Sequence, residues 1–412
     1  MHLLVVTQYF WPETFRVNDL VEGFVARGHV VTVLTGRPNY PGGRLYDMYR
    51  LNPKAFASYH GARVLRVPLR PRGQSKLSLM LNYWSFVFWA TLLGPWLLRG
   101  ARYDAIFMFE SSPITSALPA IFLRWWFRAP LVMWVLDLWP ETLSAVGIVR
   151  SPFLLGVVGR LVSFIYRRCD LILIQSRAFF ANIELWAGDT SRTRYFPGWA
   201  ESVFLSQTVV ERAPETEPYA STFNVVFAGN IGEAQDFPSI IDACALLRHR
   251  TDVRILVVGD GRAADGARRA VDSRGLGRSI VFLGKHPLER MPSFFRAAGA
   301  LLVSLKSDPI FALTIPGKVQ PYLATGIPLL GMLDGEGARV INEAGAGFTC
   351  PAGDSEALAK IVTRMADLLP HERELIGQRG REYGSREFDR ESLFDRLEGW
   401  LEDLVAKRPP GG

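Results

Sequence analysis

Short apolar runs rich in Val, Ile and Leu recur along this chain with helical patterns between them, and the alternation restarts once. Residues 2–6, 29–34, 63–67, 105–109, 131–136 and 170–174 read as buried strands. The pattern returns at 224–228, 253–258, 280–283, 300–304 and 327–330. Continuous apolar strands separated by helices build a parallel sheet covered on both faces. At 412 residues the chain is too long for one ordinary core. Two doubly wound α/β domains follow, each with its ligand site beyond the carboxyl ends of its strands. The acidic, breaker-rich stretch VERAPETEPYASTF (210–223) has the composition of a linker. It sets an expected first domain at 1–208, a second at 222–386 and a final amphipathic helix at 387–407.

Charge and tryptophan are unevenly placed. Through Leu205 there are 22 Lys/Arg and 12 Asp/Glu; beyond it there are 25 and 28. Ten of the 11 tryptophans lie in that basic first half. Such a half suits a domain that faces an anionic surface. Its basic residues are interleaved with long apolar runs, which favours a membrane over nucleic acid. Residues 77–98 hold no charge and carry Trp84, Trp89 and Trp96. That length fits a membrane span. Ser78, Asn82, Ser85, Thr91 and the Gly94-Pro95 break, within what reads as one domain, point instead to an interfacial or partly buried helix. Residues 121–130 and 153–168 share the apolar-basic character, with core helices as the competing explanation. Cys169, Cys244 and Cys350 are far apart and read as buried, reduced thiols.

The segment TIPGKVQPYLATGIPLL (314–330) places Pro316 at a first helical position, Lys318 in the first turn and Gly326 at a left-handed C-cap. A helix start with a lysine is an anion site; an ordinary αβ connection explains the same residues. In GNIGEAQ (229–235), Gly229 and Gly232 permit close backbone approach to a phosphate, with Asn230 between them. VGDGRAADG (258–266) brings Gly259 and Gly261 to another strand end, without the third glycine of a dinucleotide fingerprint. No two aspartates are separated by a single residue, so an Asp-x-Asp metal site is excluded.

Four stretches, in order, carry a resemblance: 8–43 (QYFWPETFRVNDLVEGFVARGHVVTVLTGRPNYPGG), 135–148 (VLDLWPETLSAVGI), 227–243 (FAGNIGEAQDFPSIIDA) and 314–330. Together they resemble family 4 glycosyltransferases of the GT-B type, in particular the bacterial branch that transfers amino sugars in O-antigen, colanic acid and capsule assembly. The resemblance implies two Rossmann-like domains facing a cleft, with the C-terminal helix crossing back to pack on the first. It implies a donor site in the second domain made by Gly229, Asn230, Gly232, Gly259, Gly261, Lys306, Lys318, Gln320 and Glu336. The wider family has a basic residue near Gln235 and two glutamates that would fall at Leu313 and Pro321; this chain has none of the three. Charge on the diphosphate then falls to Lys318 and Lys306, and Gln320 or Glu336 stands in for a sugar or ribose contact. In the first domain, Asp137 and Glu141 are the implied catalytic carboxylates, with helix capping or an arginine pair as the alternative for Asp137. Glu13, Arg16 and Glu110 are the implied acceptor contacts.

The implied activity is retaining transfer of an N-acetylated sugar from a UDP-sugar to a polyprenyl-diphosphate-linked saccharide. No metal or other cofactor is expected, and no nucleic acid. The protein is expected on the cytoplasmic face of the inner membrane, attached peripherally to anionic lipid. Two other readings stay open: a nucleotide-sugar epimerase of the same fold, and a lipid- or polysaccharide-binding assembly protein with an inactive donor site. Turnover of a UDP-sugar onto a lipid acceptor separates them.

Overall fold

The computed structural model describes all residues except Gln74, Ser111, 146–148, Arg150, 206–209 and 408–412. The last three residues of the 135–148 motif, and the expected domain end at 208, lie outside the described residues. The chain forms two compact units, Met1–Phe196 with Phe394–Gly412, and Pro197–Leu393. The break therefore falls before the stretch expected to be a linker. Residues 210–223 belong to the second unit. There the Ala213 N–H donates to Ser293 O at 3.1 Å, and Glu215 pairs with Arg290 at 2.9 Å. Its prolines shape a packed turn, and one of its acids, Glu215, finds a partner that composition does not reveal.

In the first unit, β1 (His2–Val6), β2 (Val30–Gly36), β3 (Ser58–Tyr59), β4 (Ala62–Val67), β5 (Ala105–Glu110), β6 (Leu131–Val135), β7 (Leu171–Ile174) and β8 (Thr193–Tyr195) form one sheet. The order is β3-β4-β2-β1-β5-β6-β7-β8. All neighbours are parallel except the edge pair β3 and β4. β3 and β8 have no apolar run behind them and go unseen in the sequence, because two or three residues at an edge need none. Four helices matter below: α1 (Arg16–Ala26), α2 (Lys76–Leu97), α3 (Ala117–Phe127) and α4 (Pro152–Arg168).

α2 is long and apolar enough to cross a membrane by length and composition. One face is anchored on the sheet through Phe86, Ala90 and Gly94. On the same face, buried Asn82 accepts from Gln8 Nε2 at 2.8 Å. The other face leaves Trp84, Phe88 and Trp96 exposed, while Trp89 is half-buried. The helix is thus a wall of the domain with an apolar outer surface. Beyond the divide, the final helix Arg390–Ala406 contributes Asp395 and Glu398, each 2.7 Å from Arg27. Its Phe394 packs on Phe24 of α1, with ring centroids 5.5 Å apart.

The second unit holds β9 (Phe223–Ala228), β10 (Val253–Val258), β11 (Ile280–Gly284), β12 (Ala300–Ser304), β13 (Leu329–Met332) and β14 (Gly347–Cys350) in the order β11-β10-β9-β12-β13-β14, all parallel. Both faces are covered, so alternate residues of one strand enter different cores. Val225 and Phe227 pack on one side of β9, Val226 and Ala228 on the other. β13 starts at Leu329 rather than at 327, since Pro328 has no N–H for the ladder. Helices α5 (Phe237–Leu246), α6 (Val319–Thr325) and α7 (Gly335–Glu343) follow β9, the β12 loop and β13. Strand order reverses between β1 and β5 in the first sheet and between β9 and β12 in the second. In such sheets the crevice for a ligand opens at those points.

Candidate functional site

At the switch point of the second sheet, β12 pairs with β9 only through Ala300 with Val225 and Leu301 with Val226. Beyond these pairs the ladder stops and Ala228 loses its partner on that side. The hydroxyl of Tyr322, on α6, replaces it. It accepts the Ala228 N–H at 3.0 Å and donates to the Ala228 carbonyl at 3.2 Å. The gap this leaves is framed by two glycine turns and the start of α6.

The turn after β9 rests on the turn after β10. The Ile231 N–H donates to Asp260 O at 2.9 Å, and the Ala263 N–H to Ile231 O at 3.0 Å. A Cβ on Gly259 would stand 1.9 Å from Gly229 O, and one on Gly261 2.3 Å from Ile231 O. These glycines are therefore required by the packing of turn on turn, before any ligand is considered. A Cβ on Gly229 would come within 2.9 Å of Lys318 Cε. Gln235, where the wider family has a basic residue, locks the first turn: its Oε1 accepts from the Gly232 N–H at 3.0 Å and from Asn230 Nδ2 at 3.4 Å. The β12 loop closes the other side, with the Lys306 N–H donating to Ala234 O at 2.8 Å and Ser304 Oγ to Gln235 O at 2.7 Å. The Lys306 side chain is exposed.

Lys318 occupies the centre. The Val319 N–H bonds to Pro316 O at 2.9 Å in a tight turn, so α6 begins at Val319 and Lys318 caps it, later than the sequence predicts from Pro316. Gly326 ends it in the left-handed conformation, at φ 71°, as the sequence predicts. Lys318 Nζ is sealed from solvent, has no hydrogen-bond partner, and lies 3.3 Å from the centroid of the Phe227 ring. Burial lowers its pKa to about 7. An ammonium held on an aromatic face, with its donors unused, is poised for an anion.

Two further expected donor residues are Gln320 and Glu336. Gln320 is buried two residues after Lys318 and lines a separate cavity of about 630 Å³ with Phe295, Arg296, Arg381 and Phe388. The carboxylate of Glu336, in the first turn of α7, is paired with Arg339 at 2.7 and 3.1 Å.

In the first unit the expected residues gather at the carboxyl ends of β1, β5 and β6. Glu13 is 1% exposed and accepts from the N–H groups of Phe10 at 3.1 Å and of Asn39 and Tyr40 at 2.7 Å. Burial raises its pKa, partly offset by those three donors. Glu110 is fully buried and accepts from the N–H groups of Ser112, Leu136 and Asp137 at 3.2, 3.3 and 3.2 Å. Burial first, then the nearby Asp137, holds its pKa well above the usual carboxylate range. Both glutamates tie loops together through these backbone bonds. Asp137 itself is half-buried, receives a hydrogen bond from Ser112, and has its pKa raised by burial. Glu141 Oε1 accepts from Trp186 Nε1 at 3.1 Å, while its buried Oε2 has no hydrogen-bond partner. Arg16 opens α1, half-buried. Among the described residues no three His, Cys, Asp or Glu side chains cluster as a metal site.

Sequence reasoning missed Phe227 and Tyr322. Both lie inside motifs quoted above, yet as aromatic residues in apolar runs they carry no signal apart from core packing.

Residues 14–199 match the model of a glycosyl transferase 4-like domain, and residues 222–367 that of glycosyl transferases group 1. The probable glycosyltransferase WbjE of Pseudomonas aeruginosa is 25% identical over 287 residues, 68% of this chain and 71% of that protein. The putative colanic acid biosynthesis glycosyl transferase WcaI of Escherichia coli K12 is 24% identical over 349 residues, 79% and 82% of the two chains. The crystal structure of Anabaena HepE in complex with UDP shares the fold with a TM-score of 0.70 at 16% identity, covering 98% of this chain and all of that one (100%).

Proposed function

We propose that this chain, which belongs to the glycosyltransferases that join a 4-like domain to a group 1 domain, moves a sugar from a UDP-sugar to a polyprenyl-diphosphate-linked saccharide. The observation that carries this reading is the buried, unpartnered ammonium of Lys318 beside two interlocked glycine turns at a switch point. A diphosphate oxygen brought to Nζ gives that cation its missing partner. Away from water, the contact stabilises the charge that grows on the leaving diphosphate. Lys306 adds a second cation from the β12 loop, and no metal or cofactor is required. HepE, a structural neighbour, was crystallised with UDP and with UDP-glucose, which supports a UDP-sugar as donor. The naming of WcaI for colanic acid biosynthesis supports surface polysaccharide as the setting, and an N-acetylated sugar is the group that the resemblance to the amino-sugar branch implies.

In the transfer, the bond from the anomeric carbon to the diphosphate breaks and a bond to the acceptor oxygen forms on the same face, so configuration is retained. Asp137 takes the acceptor hydroxyl's proton; burial makes it a stronger base than an exposed aspartate. Glu141, with Oε2 unpartnered, orients the acceptor, and Arg16 meets its diphosphate. Glu13 and Glu110 position the loops that carry them. The first unit docks peripherally on the anionic cytoplasmic face of the inner membrane.

The test is product analysis with purified protein, a panel of UDP-sugars and a short lipid-diphosphate acceptor. The expected result is a single retained linkage from one UDP-sugar. Epimerised nucleotide sugar without transfer, or no UDP binding at all, overturns the reading.

A further inference from the structure

The outer surface of α2 has no part in the chemistry just described. Trp84, Phe88, Leu92 and Trp96 recur every fourth residue along one side of the helix and are between 47% and 59% exposed. The opposite side of α2 is already packed on the domain, so this helix is apolar all round while only half covered. Contiguous exposed apolar surface of this kind marks an interaction site. The surface is a trough rather than a flat patch. Phe122 and Trp126 of α3 form its other wall, and this open trough has room for about 870 Å³.

Two features identify what fills it. Along its length the trough offers hardly any polar group, with Thr91 the exception before Arg99. A peptide strand laid there would find no partners for its N–H and C=O groups. A hydrocarbon chain needs none. At one end stands Arg99, its guanidinium stacked 4.7 Å from the Trp96 ring centroid. α2 and α3 each lead from the carboxyl end of one strand to the amino end of the next, so they run parallel. Exposed Arg128, just past α3, therefore lies toward the same end as Arg99, outside the lining itself. An apolar channel with cations at one mouth matches an amphiphile with an anionic head.

We propose that this trough takes one hydrocarbon chain of an anionic membrane lipid, with the headgroup on Arg99. The inference rests on reading the first unit as membrane-facing, and it adds a specific lipid seat to that reading.

The test uses the full chain and a fluorescent polyene fatty acid as probe, displaced by dodecyl phosphate or by dodecanol below their aggregation concentrations. Dodecyl phosphate is expected to displace the probe better than dodecanol by about fivefold, the contribution of one arginine near an anionic headgroup. Arg99→Gln should remove that preference and weaken the anionic probe by about the same factor without abolishing its binding. Thr91→Trp, which fills the trough, should lose probe binding. It should still sediment with phosphatidylglycerol vesicles through the exposed tryptophans. Leu92→Glu gives a second trough variant should Thr91→Trp melt early. Probe binding unchanged in both trough variants overturns the seat, and so does equal displacement by the two amphiphiles. Farnesyl phosphate displacing far better than dodecyl phosphate assigns the trough to an isoprenoid substrate and likewise overturns it. Failure of the unaltered protein to sediment with anionic vesicles is a separate result, and removes the membrane reading itself.

Discussion

In the first unit three backbone N–H groups close on the carboxylate of Glu13 and three more on that of Glu110. In the second unit the buried ammonium of Lys318 lies on the face of Phe227 and has no hydrogen-bond partner. Both sheets place these charges at the carboxyl ends of their strands, near a reversal of strand order, so topology does not separate the cases. Partnership does. A buried charge whose hydrogen bonds are satisfied by its own backbone fixes loops and has little left to offer a ligand. A buried charge without a partner destabilises the fold that holds it, and is retained for what it binds.

The comparison breaks most visibly at Glu110. Glu110→Ala strips the acceptor from three N–H groups in a closed site, a loss of roughly 3 kcal/mol or more. Melting of the first unit should fall by roughly 6–12 °C. An unchanged transition would return Glu110 to the list of available ligand contacts. Next comes Asp137, the half-buried carboxylate beside it. Asp137→Asn should lower transfer by about 10²-fold with UDP binding kept. In the unaltered enzyme the acid limb of the pH–rate profile should lie above the ordinary aspartate value of 3.8, because the base works only when ionised and burial raises its pKa. Near-normal turnover with reduced stability would make Asp137 a structural residue like Glu110.

The smallest effect is on donor affinity. Only protonated Lys318 pairs with a diphosphate, and its pKa is about 7. UDP affinity should therefore weaken by roughly fivefold between pH 7 and 8, with proton uptake on binding visible in calorimetry across buffers of different ionisation enthalpy. Affinity that stays flat over that interval would mean Lys318 is not the group that binds.

Much of this architecture was legible in the residues. Every long strand was found within a few positions, because buried parallel strands must be continuously apolar, and Gly326 marked the end of α6 for a steric reason. The edge strands β3, β8 and β14 were not found, since edges need no apolar run. The linker was misplaced because Glu215 and Arg290 are distant in sequence and adjacent in space. At the site, the glycines and Lys318 stood out by local spacing, and the family resemblance is what made them a donor site. The partners of each charge were out of reach: backbone N–H groups look alike in every sequence, so nothing distinguished Glu13 and Glu110 from free carboxylates. Gln320 was drawn in because it stands next to Pro321, where the wider family has a glutamate, but its side chain is buried against a separate cavity.

The most direct test of the account is thermal unfolding of Lys318→Met with and without UDP. The folded chain releases the Lys318 proton near pH 7, whereas the unfolded chain holds it to the ordinary value of 10.5. Between those values the unfolded state binds more protons, so stability of the unaltered second unit rises with pH across that window. Methionine keeps the aliphatic bulk and removes the unpaired charge. At pH 7 the variant without ligand should melt above the unaltered protein, should lack the rise in stability with pH, and should gain little from UDP. A variant that melts lower and is still stabilised by UDP as the unaltered protein is would contradict the claim that Lys318 is held unpaired for the donor diphosphate.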